Sequence, residues 1–332
     1  MMRSRIEAVG SYLPPRVVSS LEVEARLGAA HEPGWLEALT GVRNRRYADA
    51  GVTSSQLSIA ALQNMMSRSR HTWDDVDCLI VGSITPDVAE PATANVIQEA
   101  LGLTGAGFDV NNACNGFATS LQIADSLIRS RTYRCIAIVC GEMASPFIPW
   151  HLARGLEPPA SCIGALTLGD GAGAALVTRS ESLRGILAMS FMTDPRHWRA
   201  ATVLGGGTLH PHEPDKHYFL SSPGVLFEDA KTYVPGLIDE TLAKAGWTRR
   251  DVDLIVGHQV SLAMTRKLTE LFDEELDFAV NTYPELGNNA AASIPIALHT
   301  ALREGRLEHG TKALLVACAA GFAGGIIAID WE

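Results

Sequence analysis

The chain carries one short pattern twice, and this internal duplication constrains its fold more than any other feature. TWDDVDCLIVG at residues 72–82 matches TRRDVDLIVG at residues 248–257 with one residue deleted. Each copy follows a helix-like stretch and ends in a short apolar run, which is typical of a strand buried on both faces. Two later pairs of apolar runs also match: residues 134–139 with 312–317, and residues 173–177 with 324–329.

The repeats predict two similar α/β halves, residues 1–178 and 179–332, each with helices covering a central sheet. The chain has 332 residues, of which 47% are hydrophobic, so it can bury a large core. No Pro/Ser-rich or charged spacer separates the halves. We therefore expect them to pack as one compact unit.

Charge and hydropathy exclude several classes of function. A formal net charge of −10 opposes binding to nucleic acids and anionic membranes, because both are negatively charged. Glycines interrupt the uncharged run at 313–329, and residues 1–9 contain no apolar signal core, so we expect neither membrane insertion nor secretion. The six cysteines show no CxxC pair or metal-ligand spacing. These features predict a cytoplasmic protein without a metal site.

Cys114 is the first of three residues with suitable chemistry. It precedes an apolar helical pattern that runs to Arg129, and it follows the capping residues Asn111 and Asn112. We expect Cys114 at or near the first helical turn, where the helix dipole and free N–H groups lower a thiol pKa. The other five cysteines are expected to be packed thiols.

His258 and Asn288 lie in the second half, next to elements that have counterparts in the first half. His258 ends the repeated strand, and Asn288 precedes the next apolar helical pattern. A thiolate nucleophile, a proton-handling imidazole and an amide donor are together sufficient for covalent acyl transfer. Taken singly, His258 also suits a core histidine, and Asn288 also suits a helix cap.

Three other interpretations are weaker. Papain-type proteases share the order Cys, His, Asn, but their cysteine lies near the mature N-terminus, whereas Cys114 follows a long α/β pattern. The histidine-rich loop at residues 205–217 has no regular metal-ligand spacing. GDGAG at residues 169–173 lacks the strand–turn–helix context of a dinucleotide-binding fingerprint.

Six ordered motifs resemble the thiolase-fold ketosynthases of the 3-oxoacyl-(acyl carrier protein) synthase III type, almost from end to end. They are Trp35 with TGVR at 40–43, residues 109–116 around Cys114, LGDGAGA at 168–174, GHQ at 257–259, residues 287–295, and GFAGG at 321–325. The resemblance implies an α/β thiolase fold with five layers, αβαβα, formed by two pseudo-duplicated halves. It also implies a homodimer, no cofactor, and a phosphopantetheine tunnel that leads to Cys114.

The same resemblance implies a mechanism. Cys114 would take an acyl group from a thioester, while the backbone N–H groups of Cys114 and Ala320 stabilise the oxyanion. His258 and Asn288 would then donate hydrogen bonds to the enolate oxygen of a second thioester, which attacks the acyl-enzyme in a Claisen condensation. Ala319 and Ala320 stand where the family usually has glycines.

Glu90 suggests which condensation occurs. Synthases that initiate fatty-acid elongation usually carry a bulky apolar residue before the proline equivalent to Pro91, whereas this chain has a carboxylate there. That feature resembles the long-chain head-to-head condensing and pyrone-forming subgroup, in which this glutamate is the α-carbon base supplied by the partner subunit. A solvated loop carboxylate is the alternative for Glu90.

The thioester donor is expected to be an acyl-CoA, with an acyl carrier protein as the alternative. Glu228 and Ala263 stand where the fatty-acid enzymes place basic residues for an acidic carrier, and Ser261 replaces an asparagine. Trp35, Arg43 and Ser261 are the candidate CoA contacts. Arg43, Arg45 and Arg46 are positively charged and suited to the CoA phosphates, and a solvated charged surface is the alternative for them.

Other reactions stay open at this point. One is decarboxylative condensation of acyl-CoA with a malonyl thioester in fatty-acid or polyketide initiation. Another is acyl transfer from Cys114 to an amine, an alcohol or water without carbon–carbon bond formation. The third is a non-enzymatic partner subunit, which the complete Cys, His, Asn set disfavours.

Overall fold

A computed structural model describes residues 3–28, 31–151 and 159–332. The thirteen strands described are β1 Ser4–Tyr12, β2 Val17–Ser19, β3 Asn44–Arg46, β4 Cys78–Val81, β5 Ala106–Asp109, β6 Cys135–Glu142, β7 Gly171–Arg179, β8 Gly185–Thr193, β9 Ala201–Val203, β10 Phe219–Ser221, β11 Leu254–Gly257, β12 Lys312–Ala319 and β13 Ala323–Asp330. The ten α-helices described are α1 Ser20–Leu27, α2 Trp35–Thr40, α3 Ser54–Met66, α4 Thr93–Leu101, α5 Gly116–Arg129, α6 Ala160–Ile163, α7 Pro223–Ala245, α8 Leu262–Glu270, α9 Tyr283–Leu286 and α10 Ser293–Arg303.

Two large sheets share one connectivity. The first has the order β1-β7-β6-β4-β5, and the second has the order β11-β12-β13-β8. In the first, β4 is parallel to β5 and β6 while β7 is antiparallel to β6 and β1. In the second, β11 is parallel to β12 while β13 is antiparallel to β12 and β8. A single parallel bridge from Ile255 to Ala279 occupies the place that β5 has beside β4.

The repeated sequence pattern accounts for this symmetry. Its apolar ends form β4 and β11, which are buried along their whole length. A 3₁₀ turn precedes each strand, and a hydrogen bond between a threonine and an aspartate closes the turn. Asp75 Oδ2 accepts from Thr72 N at 2.8 Å, and Asp251 Oδ2 accepts from Thr248 N at 2.7 Å. The same local hydrogen bond therefore starts the same strand twice.

The helices and sheets form five layers. Alternate residues of β4 face opposite sides, so Ile80 packs with α5 and α10 between the two sheets, while Leu79 packs with α3 and α4. Across the second sheet, Ile255 packs with α7 and α8. The layer order α3/α4, first sheet, α5/α10, second sheet, α7/α8 confirms the predicted αβαβα thiolase fold. The boundary between residues 178 and 179 stays a prediction; β7 ends at Arg179 and β8 begins at Gly185.

Two short sheets complete the described structure: β2 pairs with β3, and β9 pairs with β10. The second lies beside the candidate site, since Ala201 of β9 and Phe219 of β10 line its pocket. Among the helices described, none combines the length and apolar character that a bilayer crossing requires.

Candidate active site

Cys114 lies in the loop between β5 and α5. The helix begins at Gly116, so Cys114 precedes it by two residues. The preceding residue, Ala113, has a left-handed φ of 46°, a backbone conformation that costs a non-glycine residue of order 1–3 kcal/mol. The matching loop before α10 repeats this geometry, because Ala290 also has a φ of 46°. Both halves therefore turn sharply into the central helix pair.

One apolar pocket brings together Cys114, His258 and Asn288. Its cavity volume is about 100 Å³. Cys114, His258, Asn288 and Ala320 all line it. The other lining residues are Ala201, Phe219, Leu226, Ala230, Gly257, Val260, Met264, Thr265, Leu268, Ala279, Val316, Cys318, Ala319 and Phe322. Helices α7 and α8 supply much of this wall, which sequence reasoning did not identify.

The environment of Cys114 favours the neutral thiol. Its side chain reaches the pocket but is surrounded by protein atoms, and this burial raises its pKa to about 12, with a smaller contribution from the nearby Glu142 carboxyl. The expectation that the helix terminus lowers this pKa is therefore wrong. Desolvation of the thiolate outweighs the hydrogen bond from the Cys114 backbone N–H, which by itself lowers the pKa.

Glu142 itself was missed by the sequence analysis. It ends β6, is fully buried, and accepts hydrogen bonds from Ile84 N at 3.2 Å and Thr85 Oγ1 at 3.1 Å. Burial raises its pKa to about 8. An acidic residue at the end of an otherwise apolar buried strand was the available signal.

His258 directly follows β11 and lines the pocket. Its Nδ1 lies 2.7 Å from Ser293 Oγ at the start of α10. Burial lowers the His258 pKa to about 4, so the ring is neutral near pH 7.

Gln259 has a structural role beside His258. Its Nε2 donates to Gly257 O at 2.8 Å and to Val280 O at 3.0 Å, and its Oε1 accepts from Thr282 N at 3.0 Å. These bonds connect β11 to the segment that precedes α9. They consequently fix the position of the adjacent imidazole.

The Asn288 side chain is oriented by its own loop. Its Oδ1 accepts from Ala290 N at 2.9 Å, which leaves Nδ2 as the donor group. Its backbone is held on both sides, with Asn288 N donating to Thr167 O at 2.9 Å and Gly169 N donating to Asn288 O at 3.0 Å. Asn288 therefore presents an amide donor from a rigid loop.

The turn between β12 and β13 carries the proposed oxyanion donor. Among the described residues, a left-handed φ in this turn occurs only at Gly321, at 74°. Ala319 and Ala320 have ordinary backbone conformations, so alanine is tolerated at both positions. Within the described part of the chain, the backbone N–H groups of Cys114 and Ala320 take part in no backbone hydrogen bond. Both remain available as donors.

The pocket of this chain does not include the other predicted site residues. Glu90 is exposed in the loop before α4. Arg43 Nε lies 3.2 Å from Glu37 Oε1, and its Nη1 lies 3.0 Å from Glu285 Oε1, so two carboxylates already neutralise it.

Trp35 and Ser261 have local structural contacts. Trp35 begins α2, with its ring centroid 4.7 Å from that of His31. Ser261 caps α8 by accepting from Met264 N at 3.1 Å. Across residues 3–28, 31–151 and 159–332, no group of His, Cys, Asp and Glu side chains has metal-binding geometry.

Comparison with known proteins identifies the family. Residues 108–195 match the family model of 3-oxoacyl-[acyl-carrier-protein] synthase III, and residues 242–331 match that of its C-terminal region. The chain is 32% identical to the β-ketoacyl-[acyl-carrier-protein] synthase III of Rhodobacter capsulatus, over 99% of both chains. It is 30% identical to that of Koribacter versatilis, over 99% of this chain and 98% of the relative.

Solved structures agree in fold. The 3-oxoacyl-[acyl-carrier-protein] synthase III of Aquifex aeolicus shares 28% identity and superposes with a TM-score of 0.87, covering 99% of this chain and 100% of that one. OleA of Xanthomonas campestris superposes with a TM-score of 0.88 at 22% identity, covering 100% and 98% of the two chains. The predicted resemblance is thus confirmed, and the chain belongs to the 3-oxoacyl-[acyl-carrier-protein] synthase III family.

Proposed function

We propose that this protein is a thioester-dependent ketosynthase that forms an acyl-enzyme at Cys114 and condenses it with a second acyl thioester. The observation that carries the proposal is the convergence of Cys114, His258 and Asn288 on one apolar pocket. Family membership supports this reaction class, because the named relatives are β-ketoacyl synthases.

The first half-reaction loads Cys114. The Cys114 sulfur attacks the thioester carbonyl, and the N–H groups of Cys114 and Ala320 stabilise the negative charge on the carbonyl oxygen. Collapse of this intermediate breaks the original C–S bond and releases the donor as a free thiol. The acyl group is then held as a thioester of Cys114 in a pocket with mainly apolar walls.

The second half-reaction forms the carbon–carbon bond. The enolate of a second thioester attacks the Cys114 acyl carbonyl, and Asn288 Nδ2 donates a hydrogen bond to the enolate oxygen. The C–S bond of the acyl-enzyme breaks, and the Cys114 sulfur takes up one proton, which balances the proton lost from the α-carbon when the enolate formed. Because the amide is already oriented by Ala290 N, it does not need to reorganise when the charge develops.

We also propose a homodimer in which Glu90 serves the partner's site. Among the described residues, no strand pairs with the outer edge of β5, and an unpaired edge is a template for a second strand. The Glu90 loop is attached to that edge, since Asp109 at the end of β5 accepts from Thr93 N at 2.7 Å and from Ala94 N at 2.9 Å. Pairing of two chains along β5 would carry each Glu90 loop toward the other chain.

Glu90 would then remove the α-proton in a non-decarboxylative condensation. The donor is proposed to be an acyl-CoA, with Trp35, Arg43 and Ser261 near the CoA and an acyl carrier protein as the alternative. The name of the relatives, which specifies an acyl carrier protein, favours keeping that alternative. The proposed compartment is the cytoplasm, in keeping with the free cysteines of the described chain.

Intact mass spectrometry tests the proposal. Wild-type protein incubated with a panel of acyl-CoAs should gain one acyl mass, and Cys114→Ala should gain none. Cys318→Ala is the matched control, because Cys318 is a second thiol in the same pocket and should leave the acyl mass unchanged. Failure of wild type to acquire acyl mass from any CoA or carrier thioester contradicts the enzymatic proposal.

Product analysis then distinguishes the condensations. Carbon–carbon bond formation from two acyl-CoAs without malonyl thioester supports the Glu90 route. Release of CO₂ from malonyl thioester, with no effect of Glu90→Gln, supports the decarboxylative route. Loss of the acyl group without a carbon–carbon bond supports simple acyl transfer.

A further inference from the structure

Ser293 connects His258 to the loop that holds Asn288. It is the first residue of α10 and is fully buried. Its Oγ lies 2.7 Å from His258 Nδ1 and 2.5 Å from the carbonyl oxygen of Ala290. Neither the motif comparison nor the proposed reaction assigns a role to this hydroxyl.

Hydrogen counting determines the direction of these two bonds. A serine hydroxyl has one hydrogen, and a carbonyl oxygen can only accept. The close approach of Ser293 Oγ to the Ala290 oxygen therefore requires that hydrogen, since two lone pairs would otherwise face each other. His258 Nδ1 must then be the donor to Ser293 Oγ, and in a neutral ring Nε2 is left without a hydrogen.

The neutral ring is the resting form, because burial lowers the His258 pKa to about 4. His258 Nε2 is therefore an acceptor in the resting enzyme. The family resemblance implies that both His258 and Asn288 donate to the enolate oxygen in the later condensation step, whereas a His258 Nε2 without a hydrogen leaves that role to Asn288. Asn288 keeps its donor, since its Oδ1 is already occupied by Ala290 N.

Ala290 sets both orientations. Its N–H donates to Asn288 Oδ1, and its carbonyl oxygen accepts from Ser293 Oγ. Its left-handed φ of 46° turns the backbone so that its N–H and its carbonyl oxygen form hydrogen bonds with different side chains. Such a conformation is unfavourable for alanine, and here it orients two of the three reactive residues.

We propose that Ser293 is a positioning residue that holds His258 in the Nδ1–H tautomer, so that His258 enters the reaction as a proton acceptor at Nε2. This inference rests on the proposed acyl transfer at Cys114. As the Cys114 sulfur forms its bond to the thioester carbon, the thiol proton moves to His258 Nε2. When the donor C–S bond breaks, the departing sulfur takes that proton, and His258 returns to its neutral Nδ1–H form.

The tautomer can be measured without any substrate. Nitrogen-15 NMR of the full-length protein labelled at histidine, near pH 7, distinguishes a protonated from an unprotonated ring nitrogen, and a His258→Gln sample identifies the signals of His258. We expect Nδ1 protonated and Nε2 unprotonated in wild type. The opposite tautomer in wild type overturns the proposal whether or not any variant folds.

Variants connect the tautomer to catalysis. Ser293→Ala should lose the tautomer preference and slow acyl loading of Cys114 at least about tenfold, and Ser293→Thr, which keeps the hydroxyl, should restore both. Ser58→Ala is the control, because Ser58 is also fully buried but its Oγ has no hydrogen-bond partner among the described residues. Ser58→Ala should leave the tautomer and the loading rate unchanged.

The outcomes separate this inference from the proposed function. If wild type is not acylated by any thioester, the proposed function fails even when His258 has the expected tautomer. If wild type is acylated but Ser293→Ala loads at the wild-type rate, the positioning role fails and the proposed function stands.

Discussion

Cys114 and His258 are both neutral in the resting pocket, although the reaction needs a thiolate. Burial favours the uncharged form of each group, which raises the Cys114 pKa and lowers the His258 pKa. Positive charge on the His258 ring and negative charge on the carbonyl oxygen therefore develop only as the Cys114 sulfur bonds to a thioester carbonyl. The apolar walls that prevent ionisation at rest also strengthen every hydrogen bond to charge that develops during the reaction.

Asn288→Asp should separate the two half-reactions. The aspartate keeps an acceptor for Ala290 N but lacks the Nδ2 donor. Condensation is expected to fall roughly 10²–10³-fold, the usual effect of losing one donor to an oxyanion, while acyl loading of Cys114 stays within a few-fold. Mass spectrometry of samples quenched at successive times measures the rate of Cys114 acylation and the rate of product formation. Asn95→Asp, at an exposed position in α4, is the control, and an equal loss of both steps in Asn288→Asp contradicts the assignment.

Glu142 should make stability depend on pH in an unusual direction. Its pKa is about 8 in the folded protein, against an ordinary value of 4.5 for a glutamate, so the folded state retains a proton that the unfolded chain releases between these values. Stability therefore falls as pH rises from about 4.5 to 8, by an amount of order 1 kcal/mol or more.

Glu142→Gln should remove this pH dependence, because the amide cannot ionise. Melting temperatures from pH 5 to 9 should show a gap between the variant and wild type that widens with pH in favour of the variant. Glu99→Gln, at an exposed position, should follow wild type throughout. A gap that is constant across the range argues against a buried carboxyl that keeps its proton.

The loops that enter α5 and α10 position the reactive groups more than the helices do. Gly287 illustrates the constraint: its φ is 64°, and a Cβ there would lie 2.1 Å from Thr167 O. Only glycine adopts this backbone without strain and without a clash. The loop is held against residues 167–169, and Asn288 takes its position from that contact.

Gly287→Ala should destabilise the protein, with the backbone conformation alone costing roughly 1–3 kcal/mol, and should reduce condensation by displacing Asn288. Gly236→Ala is the matched control. Gly236 is exposed within α7 with no atom near its added Cβ, so alanine should stabilise the helix by about 0.5–1 kcal/mol. Denaturant unfolding measures both changes, and equal effects at the two glycines would show that the loop tolerates a side chain.

The repeated strands and the two central helices, α5 and α10, were predictable because their causes are local. The Thr–Asp turns and the apolar runs of β4 and β11 are visible in the sequence. The 23-residue helix α7, which contains Pro235, and the short β9–β10 pair were not identified. They depend on packing against the second sheet and against α6 rather than on a strong pattern of their own.

The proposed role of Glu90 requires a dimer, and both the dimer and the role can be tested. Light scattering should give twice the 35.5 kDa of one chain. In the proposed dimer a Cys114 site needs the partner's Glu90, so Glu90→Gln and Cys114→Ala homodimers should both be inactive in condensation. Co-expression of the two variants should restore activity to about a quarter of wild type, because random pairing makes about half of the dimers mixed and only one of the two sites in a mixed dimer is complete.

Co-expression of Glu90→Gln with a Cys114→Ala/Glu90→Gln double variant is the control, since no chain then carries the carboxylate. It should stay inactive. Recovery of activity in this control, or full activity of the Glu90→Gln homodimer, contradicts a role for Glu90 as the base.

By itself, the sequence determined the duplicated α/β halves, the family and the identity of Cys114, His258 and Asn288, because repeats and reactive residue types are local properties of the chain. Only the tertiary structure decided the protonation and orientation of these groups. The Cys114 pKa follows from burial, with a smaller electrostatic contribution from the Glu142 carboxyl. The His258 tautomer follows from Ser293 and Ala290 on the opposite loop. Desolvation and hydrogen-bond direction depend on neighbours in space, which no local pattern specifies.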